Sequence, residues 1–170
     1  MQPQSAIPNV YYALFAWYEP LLTIGGLVGA LLDPKAIHDQ QAPWPSDGPP
    51  TGPLPLATTV TMLQLAHVCA LLGLLNYFVL SALRTHLHAQ PALQEKIATA
   101  LLTPLLIGDG LHLYVTLWAL GEQRWDLHSW GVMLWLTVGL GLSIMVPRIA
   151  WHIGIGRYVH SRDGQTPAEK

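Results

Sequence analysis

The chain has 170 residues, of which 51% are hydrophobic and only 11% charged, with a formal net charge of −2. An ordinary soluble domain carries about 25% charged residues, so this composition argues against a soluble fold and for a lipid surround. The eight basic residues are scattered and give no electrostatic footprint for nucleic acid, and a single cysteine, Cys69, excludes an intrachain disulfide.

About 20 helical residues cross roughly 30 Å of hydrocarbon, and four stretches are long enough: 9–32, 57–84, 97–121 and 130–156. The first, "NVYYALFAWYEPLLTIGGLVGALL", lacks the basic start and small-residue cleavage site of a secretory signal, which predicts that it is retained. Residues 33–56 are so rich in Pro and Gly that a long loop without regular structure is expected. Cys69 falls inside the second stretch, where a small core hydrophobe is expected. The links "RTHLHAQPALQEK" and "GEQRWDLHS" are short, which predicts antiparallel neighbours. Residues 157–170 form a polar tail. The fold class expected is all-α, a single four-helix transmembrane bundle. "GGLVG" in the first helix, with Gly25 and Gly29, and "TVGLGLS" in the fourth supply small residues for close helix packing.

Arg84, Lys96, Arg157, Arg162 and Lys170 fall at the end that would hold both termini, against Lys35 and Arg124 at the other. The bias predicts cytosolic termini. Trp118, Trp125 and Trp130 beside the third link, with Trp151 and Tyr158 at the far end of the last helix, are placed as interfacial anchors.

Ionisable groups in a spanning helix cost about 2.5 kcal/mol or more on insertion scales and tend to mark function. With 1.5 Å of rise per residue, Glu19 lies about 20 Å from the loop end of its helix, His67 about 15, Asp109 about 18 and His112 about 14. Three helices therefore set acids and histidines in one layer. Gln64 is one turn from His67, and Asp109 and His112 share a face at i and i+3. Gly108 and Gly110 leave room beside Asp109, and Pro20 disturbs the turn before Glu19. Asn76 and Arg148 lie deeper, about 29 and 27 Å from the same end, and Arg148 is expected to snorkel outward.

This layer reads either as interhelical glue or as an intramembrane acid and base, because two neighbouring carboxyls in a medium that penalises charge do not both ionise easily. Asp109 is the candidate acid and Glu19 its partner or the stabiliser of developing positive charge. His112 and His67 would orient groups and return the proton. Trp17, Tyr18, Tyr114 and Trp118 are candidate cavity walls that could face a cationic intermediate, with Gln64 and Asn76 as polar contacts to the substrate. The histidine spacing is not diagnostic of zinc, and neither metal nor cofactor is expected. No phosphate loop, Ser-His-Asp set or HExxH helix is present.

"YEP" in the first helix, "QLAH" in the second, "GDGLHLY" in the third and Trp125 with Trp130 and Trp135 resemble a family of small fungal integral membrane proteins of unknown function found with secondary-metabolite gene sets. That resemblance covers nearly the whole chain. It implies a tailoring step on a lipophilic intermediate at the endoplasmic reticulum, alone, as a homo-oligomer or with other pathway enzymes. In architecture the chain is also similar to the sterol isomerase and sigma-2 receptor group. The leading expectation is an enzyme delivering a proton to an epoxide, alkene or carbonyl of a terpenoid, meroterpenoid or polyketide, so that cyclisation, isomerisation or hydrolysis follows. The alternative is a non-catalytic lipid-binding or scaffold protein.

Overall fold

The computed structural model describes residues 5–44 and 48–162. Its regular structure is helical: α1 (Asn9–Leu32), α2 (Pro34–Asp39), α3 (Leu56–His86), α4 (Pro91–Ala119) and α5 (Val132–His152), with short 3-10 turns between α4 and α5. All but α2 are long and apolar enough to cross a membrane, as the composition predicts, and large apolar side chains such as Leu21, Phe78, Ile107 and Val146 face outward. An apolar exterior is what a bilayer solvates, so the chain has the fold of a multi-pass membrane protein.

Several boundaries differ from the sequence reading, each for a local reason. Residues 33–56 contain the helix α2: Asp33 caps it by accepting from the Ala36 N–H at 2.9 Å, and Pro34 occupies its first position. The prolines that argued against regular structure here start it instead. Pro91 likewise opens α4 six residues earlier than position 97. The last helix ends at His152 rather than 156, because Gly154 takes φ +78° and the chain turns back there. Of the polar tail, residues 163–170 lie outside the described residues.

Inside α1 the segment Ala13–Tyr18 is a π-turn, with the Glu19 N–H bonded to the Leu14 carbonyl five residues back. Pro20 offers no N–H to the preceding turn, and the wider turn is the form its disturbance takes.

α1 packs along α3 and α4 along α5, while the π-turn segment also meets α3 and α5. At the anticipated Gly25 and Gly139 an added Cβ would meet nothing within 4 Å; at Gly29 it would fall 3.6 Å from Ile37 of α2, and at Gly141 3.4 Å from Leu113. The closest approach is at Gly73 instead, where a Cβ would fall 2.9 Å from the Pro20 Cα and 2.3 Å from Thr23 Oγ1. Cys69, one residue from the inward Ala70, is exposed on the outer face of α3 and is not a core residue.

Two apolar clusters close the ends of the bundle. Ile7, Tyr11, Phe15, Ala16, Leu80, Leu83, Ala98, Leu102 and Trp151 gather at the end where the described residues begin and finish. Leu120, Trp130 and Leu134 form a smaller one at the opposite end. Trp130 and Trp151 are thus core residues rather than interfacial anchors: their indole N–H groups donate to the Gln123 carbonyl at 3.1 Å and the Ala6 carbonyl at 2.9 Å, which lets both rings be buried. Gln94 fastens the chain start, accepting from Ser5 Oγ and the Ala6 N–H and donating to the Leu83 carbonyl. The Tyr158 N–H bonds the Ser5 carbonyl, so both ends of the long helical run meet at one end of the bundle. Between the two clusters the buried interior includes the polar side chains of Glu19, Asn76 and Arg148.

Candidate functional site

The buried middle is built around Arg148. Its guanidinium is fully buried, donates through Nη2 to Glu19 Oε2 at 2.6 Å and through Nη1 to Asp109 Oδ2, and lies 5.4 Å from the centre of the Phe15 ring. Three helices are therefore joined through one fork of donors, a geometry a guanidinium offers and an ammonium does not. The expectation that Arg148 snorkels outward is overturned. A helical side chain tilts toward the N-terminus of its helix. In α5 that direction leads away from the termini end and back to mid-bundle, where the carboxyls are. α1 and α4 run the opposite way, so Glu19 and Asp109 tilt toward Arg148, and the depth difference estimated from Cα rise is closed by three side chains reaching for one another.

The two acids sit in unlike surroundings. The Glu19 side chain is 9% exposed and held between the π-turn and Pro20, whereas the Asp109 side chain is 19% exposed. The positions beside it are empty: a Cβ on Gly108 or on Gly110 would meet nothing within 4 Å. The carboxyl of Asp109 is thus the part of the site that reaches the bundle surface. One guanidinium with two carboxyls is neutral when the set holds one proton, since arginine stays charged.

Asn76 of α3 lies beside the Glu19 carboxyl without meeting hydrogen-bond geometry. It is fully buried, and the Glu19 carboxyl is the polar group its amide acts on; the Arg148 Nε is buried without a hydrogen-bond partner.

The structure brings together only part of the anticipated layer. Glu19 and Asp109 meet through Arg148, with Asn76 next to them. His112 lies one turn beyond Asp109 but is exposed, and His67 and Gln64 stand exposed on the outer face of α3. Tyr18 joins α1 to α5 through its hydroxyl and Ser143 Oγ at 3.0 Å. Trp17 packs edge-on against Tyr77 with ring centres 5.1 Å apart, at an apolar slot shared with Leu21, Ile24 and Leu74. Tyr114 and Trp118 point outward, 64% and 66% exposed, so they do not wall the polar centre. Equal depth was a sound guide to the acids and a poor one to His67, because depth does not fix which side of a helix a residue occupies; His112, though exposed, stays close enough for its charge to act on Asp109. Among the described residues, no three His, Cys, Asp or Glu side chains gather as a metal site.

A second polar knot closes the termini end. Arg157 is 7% exposed and donates to Glu95 Oε1 and to the carbonyls of Trp151 and Tyr158, each at 2.6 Å, with its guanidinium 4.0 Å from the Trp151 ring centre. The groove beside it, lined by Ala92, Leu93, Glu95, Lys96, Thr99 and His160, is broad and open, lies at the end of the bundle and is distinct from the Arg148 centre.

A family model described as a domain of unknown function, DUF7704, matches residues 4–158. No curated protein and no solved structure matches the chain.

Proposed function

The chain belongs to the DUF7704 family, and from that premise and its buried charge centre we propose an integral membrane enzyme that takes a lipophilic molecule from the bilayer and protonates it at Asp109. The observation carrying this reading is the asymmetry of the two acids around Arg148: Glu19 enclosed, Asp109 partly open between two glycines with free space beside them. In its neutral state the set holds one proton. Passing that proton from the Asp109 carboxyl to an epoxide, alkene or carbonyl leaves two carboxylates around one guanidinium, and the net negative charge then stands beside the cationic intermediate. Capture by water, an internal alkene or proton loss would complete hydrolysis, cyclisation or isomerisation.

The fungal setting, the secondary-metabolite substrate and the endoplasmic reticulum membrane with cytosolic termini belong to this proposal. They rest on the motif resemblance and on the Lys and Arg bias. The exposed His67 and His112 are positioned on the outside of the bundle, so proton return through them would require a route along the surface of α4 for His112 and excludes direct contact for His67 in this arrangement.

A second reading, a non-catalytic lipid-binding or scaffold protein, is favoured by one observation: both acids are already bonded to Arg148, which ties three helices together. Photolabelling tests the site. In microsomes, a prenyl epoxide carrying a diazirine should label the segment 105–116 and be displaced by the unmodified epoxide. Labelling spread evenly over the outer faces of all four long helices would contradict a substrate site at Asp109.

A further inference from the structure

α3 carries two polar side chains on the side turned away from the bundle. Its inward side is marked by the buried Ala70, Gly73, Asn76, Leu80 and Leu83, whereas Gln64 and His67, one turn apart, are exposed on the opposite side. Among the described residues neither makes a hydrogen bond, an ion pair or a ring contact. Thr61, one turn earlier on that face, differs, because its hydroxyl donates back to the Ala57 carbonyl at 2.9 Å and so needs no outside partner. Gln64 and His67 lie about 12 and 17 Å along the helix axis from Leu56, in a helix long and apolar enough to span a membrane, with Leu65, Val68 and Leu71 exposed around them. An amide and an imidazole set against hydrocarbon lose the hydrogen bonds that water would give them. Between helices the same groups bond across the contact and hold it together.

The spacing on this face and the chemistry of its polar groups identify the partner. Thr61, Gln64, Val68, Leu71, Leu75 and Phe78 follow one another at steps of three and four, and all six are exposed. That repeat of about 3.5 residues keeps one seam of a helix against a neighbouring helix. One amide within an otherwise apolar seam is the pattern by which a polar residue fixes register and the number of strands. A lipid chain offers only hydrocarbon to this face and leaves the amide bare. A second copy of the chain crosses the membrane in the same direction, and in a two-fold pair about the membrane normal it brings its own Gln64 to the same depth. A side-chain amide both donates and accepts, so two such groups satisfy each other reciprocally, with His67 flanking the seam one turn away. We infer that the outer face of α3 is the contact of a parallel homodimer, packed along this seam and fixed by hydrogen bonding between the two Gln64 side chains. The interface is independent of the proton chemistry proposed above, because Gln64 and His67 stand on the side of α3 opposite Asn76 and the Arg148 centre.

Cross-linking and dilution test the contact. Cys69 is the chain's one cysteine and is exposed beside the seam. Full-length protein carrying Cys69→Ala, with either Val68→Cys in the seam or Ile107→Cys on the outer face of α4, is reconstituted in phosphatidylcholine vesicles and oxidised. Val68→Cys should give a disulfide-linked species of twice the chain mass, and Ile107→Cys should not. In a lipid-dilution series followed by energy transfer between labelled copies, Gln64→Leu should raise the dissociation constant of the pair about tenfold, and Gln64→Asn, which keeps the amide, should retain most of the association. In lipid nanodiscs sized for a single copy, Gln64→Leu should keep the wild-type Tm, which separates loss of pairing from loss of fold; if it does not accumulate, Gln64→Ala reads the same constant. Equal cross-linking at positions 68 and 107, a wild type that stays monomeric at every dilution, or a Gln64 variant without the amide that associates as tightly as the wild type overturns the proposal. So does a cross-linked species whose mass is not twice that of the chain, which would assign the face to a different protein.

Discussion

Arg148 carries the most consequence of any single residue, because its removal would leave two carboxyls in the bundle interior with no countercharge. Breaking a buried pair from one side costs about 3–5 kcal/mol. Arg148→Met should therefore deplete folded protein, seen as loss of the monodisperse peak in detergent chromatography. The neutral triple variant Glu19→Gln, Asp109→Asn, Arg148→Met should recover much of it, since it removes the charges together. Equal loss in the single and triple variants would show that the Arg148 side chain acts through packing alone. The two acids were legible in the sequence as carboxyls at one depth in apolar helices. Arg148 was not read as their partner, because a rise of 1.5 Å per residue places Cα atoms and ignores a long side chain that tilts toward the helix N-terminus. That tilt was available from the alternating helix directions and is the signal that would have found it. Asn76 was visible as a polar residue, but its place beside the Glu19 carboxyl is a property of packing on neighbouring helices.

Among the elements, α1 and α3 meet most closely where Gly73 lies against Pro20. A methyl group there would fall 2.9 Å from backbone, which a rotamer change cannot relieve, so Gly73→Ala should destabilise by about 1–3 kcal/mol, measured as a lower Tm in the same nanodiscs. Thr23→Ala should not rescue it, because the Pro20 Cα remains. An unchanged Tm would show that the two helices are free to separate. Sequence spacing favoured the glycine pairs of α1 and α5 because GxxxG-like patterns are recognisable, whereas a lone glycine in "LLGLL" carries no pattern. The helix α2 was missed for the opposite reason, a strong compositional signal read without its cap. Its Asp39 accepts from Lys35 Nζ at 2.6 Å and contacts His38 Nδ1 at 2.9 Å. The hydrogen bond from Lys35 first, then that of His38, holds the Asp39 carboxyl below the ordinary aspartate range. A depressed folded value means that the unfolded chain binds the proton more readily, so this stabilisation is full above the ordinary range and is lost as pH falls through the folded value. Asp39→Asn should lower the Tm slightly at neutral pH, with the difference from wild type shrinking in acid; a difference that grows in acid would contradict the pairing.

For the whole molecule, composition and segment length already dictated four spans, antiparallel neighbours and an exterior suited to lipid. What they could not supply was the rotation of each helix about its axis, and that rotation decides which polar residues face inward. It separates Glu19, Asn76, Asp109 and Arg148 from Gln64 and His67, and leaves His112 exposed at the edge of the Asp109 site, although all look alike as isolated polar letters in apolar runs. The resulting molecule has apolar clusters at both ends and a charged centre between them that opens at Asp109. In the proposed function, this opening delivers a proton. The direct test is single turnover of a terminal prenyl epoxide by the wild type and by Asp109→Asn in nanodiscs, at equal amounts of folded protein. Removing a positioned general acid should slow product formation by about a hundredfold or more while the photolabel at 105–116 is retained. Turnover by Asp109→Asn at the wild-type rate would contradict proton delivery by Asp109.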